Sequence, residues 1–346
     1  MDSNPISTFD TRSKRSPRKL LRWVVTFVLF GLLLYFFWPL LGEIKAAAAL
    51  FRHADWKWFG IAIGLQIVSY AFLTWLNALS LLPFPGRISF LRLAGVLTSM
   101  AFISVAIPSA GLSGIALRVH LLRKYGYAPE ESLFSLAVET TLEMVALASV
   151  AILGIGYLIS KGGLSPVEVI LLSLAGLVIL VGLWSGWRLI NHRERSQVLL
   201  HRFFNWWNRV GSRLRTFDIT SMEQRLSIFQ DNLARYRAVS LGALFIAAYG
   251  KVLLDVLTMG ACFYMFHYPI PPATLFIGYG LTLTLSGLTA LPGGLAMTDA
   301  FVPVIFSWLN VPGAVALAAG LTYRLIAFWL VRFAGFISWI FLENRS

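Results

Sequence analysis

Six ionisable residues sit inside stretches that are otherwise apolar: Glu139, Glu143, Lys251, Asp255, Asp299 and Arg324. At the centre of a membrane-spanning helix each would cost about 2.5–3.5 kcal/mol on the insertion scale, so none is expected to face lipid. Glu139 and Glu143 are four apart and share a helix face, as do Lys251 and Asp255. The second pair can neutralise itself as an ion pair with a structural role alone. The first pair repels when both carboxylates are ionised, so it needs a nearby cation or a proton on one member. Arg324, about eleven residues and so roughly 16 Å into its helix, is the expected cation.

Two helix-breaking stretches accompany these charges. Leu291-Pro292-Gly293-Gly294-Leu295-Ala296-Met297-Thr298-Asp299 interrupts an apolar region, and Ile107-Pro108-Ser109-Ala110-Gly111-Leu112-Ser113-Gly114 precedes it as an echo. Backbone freed from helical bonding at membrane depth is tolerated only where protein buries it or it lines a watery cavity. Paired interruptions in corresponding halves of a chain point to a transport site near the midplane. Pro108, Gly111, Pro292, Gly293 and Gly294 therefore join the charged residues as candidate substrate-binding positions.

Composition sets the frame for both. Of 346 residues 58% are hydrophobic and 13% charged, with a mean hydropathy of +0.73. Apolar runs of about 20 residues recur along the chain, which is the length a hydrocarbon core requires. The fold class expected is an all-α polytopic membrane protein with inverted repeats and two broken or re-entrant segments. A net charge of +13 arises from Lys and Arg clustered in the connections, as the positive-inside rule explains without a nucleic-acid partner. The single Cys262 excludes an internal disulfide, and the five His show no H-E-x-x-H spacing. No metal and no cofactor are expected.

Residues 1–19 form a basic cytoplasmic tail, and residues 20–342 form one transmembrane domain. Leu20 to Leu41 is too long for an ordinary signal core and reads as an uncleaved span with a cytoplasmic N-terminus. A span from about Trp58 to Leu82 ends at the turn Pro83-Phe84-Pro85-Gly86. Arg87 and Arg92 precede the apolar run Leu93 to Ile107, and Arg118, Arg123 and Lys124 follow it. Cations on both sides suit a segment that enters and leaves on the cytoplasmic side. Spans at 133–159 and 167–187 follow. The loop 188–237 is rich in arginine and cytoplasmic, and its aromatic residues suggest a helix lying on anionic headgroups, against the alternative of a solvated linker. A span at 238–265, the broken segment 273–299, a helix to about Leu309 and a final helix 314–342 complete the chain, whose C-terminus is cytoplasmic.

Setting Pro108 against Pro292 aligns the two halves. Glu139 follows the first proline by thirty-one residues and Arg324 follows the second by thirty-two. The first repeat is placed at about 57–159 and the second at 238–342, entered from opposite sides. Chance alignment of Pro and Gly in a glycine-rich chain is the alternative.

The Pro108–Gly114 break leading to Arg118 and Leu121-Leu122-Arg123-Lys124-Tyr125-Gly126 carries a resemblance, together with the Glu139 helix and Leu291–Asp299 followed by Arg324. The chain resembles the flippase-like integral membrane family that also forms the transmembrane part of lysylphosphatidylglycerol synthases, over roughly residues 15–342. That family commonly has Glu where this chain has Asp299, and often Glu-Arg where it has Glu139-Thr140. The resemblance implies a lipid translocase without the synthases' aminoacyl-transferring domain.

The expected function is movement of a phospholipid or polyprenyl-linked lipid across a bacterial cytoplasmic membrane. Arg324 and Lys251 would meet a phosphate, which the planar guanidinium of Arg can bind in bidentate fashion. Helix N-termini near Ser109–Gly111 and Gly293–Gly294 would add backbone donors. Glu139, Glu143 and Asp299 would bind a cationic headgroup or carry protons. Membrane lipids are the expected partners. No Walker A pattern is present, so the chain's own ATP hydrolysis would not drive transport. Enzymatic activity is not expected, since no G-x-S-x-G element and no metal cluster appear. A secondary transporter of a small soluble anion and a non-transporting scaffold docking through 188–237 are the alternatives.

Overall fold

A computed structural model of the chain describes residues 45–160 (apart from Pro108 and Ala110), 239–288 and 297–343. Expectations for the basic tail, the span at 20–41, the span at 167–187 and the loop 188–237 lie outside the described residues. The main elements described are α1 (Trp56–Leu81), α2 (Phe90–Ala106), α3 (Leu112–Arg123), α4 (Pro129–Ser160), α5 (Leu241–Met265), α6 (Pro272–Leu288), α7 (Met297–Trp308), α8 (Gly313–Arg324) and α9 (Val331–Glu343). A π-helical stretch, Leu325–Leu330, joins α8 to α9 without a break. All regular structure among the described residues is helical, and four helices are long and apolar enough to cross a membrane. The chain is thus an all-α polytopic membrane protein.

Local chemistry sets the helix ends. Asp55 caps α1 by accepting from the Lys57 backbone N–H at 3.1 Å, and Pro83 follows shortly after its last residue. Helix α4 starts at Pro129 rather than at 133 as the hydropathy suggested. Proline suits the first helical position, and Glu131 reaches back to accept from the Ala128 N–H at 2.9 Å. Ser240 opens α5, its hydroxyl accepting from the Ala243 N–H at 3.3 Å.

Helices α1 and α5 run antiparallel. Trp58 stacks on Tyr264 at 4.8 Å, Gln66 and Ser69 meet Asp255, and Phe72 covers Gly250. The Asp55 N–H donates to the Met265 carbonyl at 2.9 Å, placing the start of α1 beside the end of α5.

Each of these helices leads into a hairpin of 17-residue and 12-residue helices, α2/α3 and α6/α7. In the first hairpin the Arg87 N–H donates to the Tyr125 carbonyl at 3.0 Å. Entry and exit are therefore adjacent, and the segment expected to be re-entrant does fold back on itself. At its turn Gly111 has φ +86°, a conformation that favours glycine. In the second hairpin Phe306 packs over Gly278, which brings the end of α7 to the start of α6. Because α1 and α5 are antiparallel, the two hairpins open at opposite ends of the molecule.

The hairpins then pack crosswise. Helix α2 lies on α9, with Thr98 against Gly335, and α6 lies on α4, with Gly280 against Ala151. Both contacts join the ninth residue of a hairpin's first helix to the twenty-third residue of a long helix, counted from Pro129 in α4 and from Gly313 in the α8–α9 helix. Close approach depends on the glycines, as expected where lipid removes the hydrophobic driving force between helices. An added Cβ at Gly335 would run into the Thr98 carbonyl, whereas one at Gly60 meets nothing within 4 Å. Gly335→Val is expected to destabilise the protein in detergent by about 1–3 kcal/mol. Gly60→Ala should be neutral or stabilising by up to about 1 kcal/mol. Thermal denaturation of the two variants compares them directly.

One reading from charge requires correction. Arg118 was counted among the basic residues flanking the first hairpin, yet it is wholly buried, at 0% exposure. Helix α3 turns it into the protein against α4, so Arg87, Arg92, Arg123 and Lys124 remain as the exposed cations at the hairpin base.

Candidate functional site

The charged residues gather in two adjoining clusters. In the first, Arg118 Nη1 donates to Glu139 Oε2 at 2.8 Å and Nη2 donates to the Ser135 hydroxyl at 2.9 Å. Glu139 is 7% exposed, so this is a buried, geometrically good ion pair between α3 and α4. One turn further along α4, Glu143 Oε2 accepts from Lys251 Nζ at 3.2 Å, and Lys251 also lies 3.3 Å from Asp255 Oδ2. The cations that pair with Glu139 and Glu143 are therefore Arg118 and Lys251, where spacing had suggested Arg324. Counted from the helix starts, Glu139 corresponds to Tyr323 and Arg324 to Thr140, a displacement of one residue.

Asp255 is the fifteenth of 25 residues in α5, close to mid-span. Its carboxylate accepts from Gln66 Nε2 at 3.2 Å, from the Ser69 hydroxyl, and from the Tyr279 hydroxyl at 3.4 Å. Tyr279 in turn lies 3.4 Å from the Tyr323 hydroxyl. These partners lock the carboxylate in place and bring α1, α5, α6 and α8 to one point.

That point is the wall of a partly open cavity of about 290 Å³. Its lining includes Lys251, Arg324, Arg332, Asp255, Gln66, Tyr70, Tyr279 and Tyr323, with Leu73, Leu283, Val302, Ala327 and Phe328. Among the described residues, three cations and one carboxylate line the cavity, with Lys251 paired to Asp255 and to Glu143 behind it. The π-helical stretch lies between the two arginines, and their guanidinium carbons sit 4.2 Å (Arg324) and 3.2 Å (Arg332) from the Phe328 ring centroid. Single-turn π segments recur at functional sites because they shift the side chains that follow them. Among the described residues, Gln66 Oε1 and Arg332 Nε have no hydrogen-bond partner although both are buried. An acceptor and a donor at the cavity are thus unsatisfied, which is costly in a site meant to stay empty.

The structure brings Lys251, Asp255, Glu143 and Arg324 together and sets Glu139 beside them with its own cation. Gly111 caps α3, but the first N–H groups of that helix are already used: Leu112 donates to the Ser109 carbonyl and Ser113 to the Ser109 hydroxyl. This turn offers fewer free donors than its sequence promised. Pro108, Pro292, Gly293 and Gly294 lie outside the described residues, as does the side chain of Asp299, whose backbone belongs to the first turn of α7. Sequence reasoning missed Arg118, Arg332, Tyr279, Tyr323 and the pair Gln66 and Ser69. The last two carried a signal, since they are polar residues three apart on one face of an apolar span.

Residues 23–335 match the family model described as the lysylphosphatidylglycerol synthase TM region. The chain belongs to this family. A search of curated proteins returned no match. Family membership and the four long apolar helices together make the chain a multi-spanning membrane protein. Within the family's transmembrane region, the mid-span cavity is the strongest candidate site among the described residues.

Proposed function

We propose that the protein is a non-enzymatic lipid translocase, which receives the phosphate-bearing headgroup of a phospholipid or polyprenyl-linked lipid in the mid-span cavity. The observation that carries this reading is the cavity wall itself. Arg324, Arg332 and Lys251 line a partly open space at mid-span together with Asp255, Gln66 and three tyrosines, Tyr70, Tyr279 and Tyr323. Ionisable groups gathered around an opening within spanning helices mark a functional site by default. A phosphate-bearing headgroup fits this wall: Arg332 Nε gains an acceptor, a headgroup hydroxyl or amine satisfies Gln66 Oε1, and guanidinium geometry suits phosphate oxygens. Leu325, Trp329, Leu330 and Phe333 are exposed around the π-helical stretch, so a lipid's tails can remain outside while its headgroup enters.

Two hairpins built of helices of equal length, opening at opposite ends and packed crosswise through equivalent positions, support an inverted-topology repeat. Rocking of one unit against the other would expose the cavity alternately to each leaflet. The exposed cations at the base of the first hairpin support a cytoplasmic position for that end, and in this reading both termini lie on that side of a bacterial cytoplasmic membrane.

The test is movement of fluorescent lipids in proteoliposomes. The intact chain is expected to move anionic phospholipid between leaflets, and Arg324→Gln/Arg332→Gln to slow it by at least about tenfold, on the order of 1.4 kcal/mol in barrier. Unchanged movement in the double variant would remove the cavity from the mechanism. Uptake of a soluble phosphate or carboxylate by the intact chain, with no lipid movement, would replace the lipid with a small anion.

A further inference from the structure

A second cavity, of about 460 Å³, lies at the base of the first hairpin, where both of its legs meet the end of α9. It shares no lining residue with the mid-span cavity. Arg92 comes from the first turn of α2 and Lys124 directly follows α3, so two cations from the two legs face one space. None of its described lining residues is acidic. Tyr125 and Ser338 add polar groups, and Leu91, Phe341 and Leu342 provide an apolar flank. Leu91 and Phe341 are exposed, and so is Phe90 beside them. The cavity is thus cationic on one side and apolar on the other, at the level where a helix ends.

Depth and charge together define what fits. The hairpin base is held shut by the hydrogen bond from the Arg87 N–H to the Tyr125 carbonyl, so the cations line a fixed rim rather than a mobile loop. This rim is at the interface end of the helices, where apolar side chains meet acyl chains and Lys and Arg meet headgroups. Basic pockets between spanning helices at such a level bind anionic headgroups. A soluble anion would use the cations and leave the exposed Leu91 and Phe341 without a role. A neutral lipid would use the apolar flank and leave two like charges facing each other.

We infer that this notch is a second lipid site, separate from the translocation cavity, in which Arg92 and Lys124 hold the phosphate of an anionic phospholipid while its acyl chains lie along Leu91 and Phe341. The lipid wedges between α2 and α9, which belong to different halves of the molecule. The site does not depend on transport, and its test does not measure transport.

The experiment uses the full-length protein, purified in detergent and delipidated, then mixed with micelles of phosphatidylglycerol or phosphatidylcholine at equal mole fraction. Retained lipids are counted by intact-protein mass spectrometry. The wild type is expected to keep at least one more phosphatidylglycerol than phosphatidylcholine. Arg92→Ala/Lys124→Ala is expected to lose that molecule, with apparent affinity at least about tenfold weaker, and the charge-conserving Arg92→Lys/Lys124→Arg should keep it. Arg52→Ala/Lys57→Ala removes the same charge at the opposite end of α1 and should also keep it. Equal retention of both lipids by the wild type, or unaltered phosphatidylglycerol retention in the Ala double variant, would overturn the inference. So would loss of the lipid in the Arg52/Lys57 variant, or its displacement by inorganic phosphate at equal concentration.

Discussion

Lys251→Met is expected to abolish lipid movement and to destabilise the protein by about 3–5 kcal/mol, the cost of breaking a buried ion pair from one side. Lys251 Nζ bridges Glu143 at 3.2 Å and Asp255 at 3.3 Å, so its removal leaves two facing carboxylates with no cation between them. Asp255 is additionally fixed by Gln66, Ser69 and Tyr279, which hold it beside the second carboxylate. Stability and transport separate in the neutral triple variant Glu143→Gln/Lys251→Met/Asp255→Asn. Replacing a whole buried ionic group by neutral side chains of similar size is often tolerated. The triple variant should therefore recover most of the melting temperature, yet remain unable to move lipid because a phosphate-facing cation is gone. Detergent-solubilised thermal denaturation and proteoliposome scrambling measure the two quantities separately. A folded triple variant that moves lipid at the wild-type rate would assign Lys251 a structural role alone.

Arg118→Ala should be as destabilising, again by about 3–5 kcal/mol, but for a different reason. Arg118 is wholly buried and ties the returning leg of the first hairpin to α4 through Glu139 and Ser135. Truncation leaves Glu139 charged, buried and without its cation, and also leaves a void the length of an arginine. Arg118→Met/Glu139→Leu removes both charges and keeps the volume, so it is expected to denature within about 1–2 kcal/mol of the wild type. This pair lies beside the cavity and does not line it. The double variant should therefore keep its lipid movement in vesicles. Loss of movement in a stable double variant would place Glu139 in the transport cycle after all, as its position four residues from Glu143 first suggested.

How much of this was legible beforehand differs between fold and site. Mean hydropathy and span length gave the membrane class. The first glycine-containing break, with cations on both sides of its apolar run, pointed to a segment that folds back, and α2 and α3 do form a hairpin. Helix boundaries followed local chemistry that hydropathy averages away: Pro129 and Glu131 start α4 four residues before its apolar run becomes obvious. The charge pairing was harder. Spacing along one chain identifies i,i+4 partners such as Lys251 and Asp255, whose 3.3 Å approach was foreseeable. It cannot reveal that α5 lies against α4, which hands Lys251 to Glu143, nor that α3 turns Arg118 inward.

The sequence by itself pointed to charges that must avoid lipid, and Glu139, Asp255 and Arg324 are indeed buried in the protein, because a charge within an apolar span is too costly to leave facing acyl chains. It also pointed to the turn of the first hairpin, because the left-handed backbone at Gly111, with φ +86°, favours glycine. Only the tertiary structure decided which cation answers which carboxylate, since partners such as Arg118 and Glu139 or Glu143 and Lys251 come from different helices. It alone set Arg324 and Arg332 beside one ring across a π-helical stretch, because one extra residue per turn reorients every side chain after it and leaves no mark in composition.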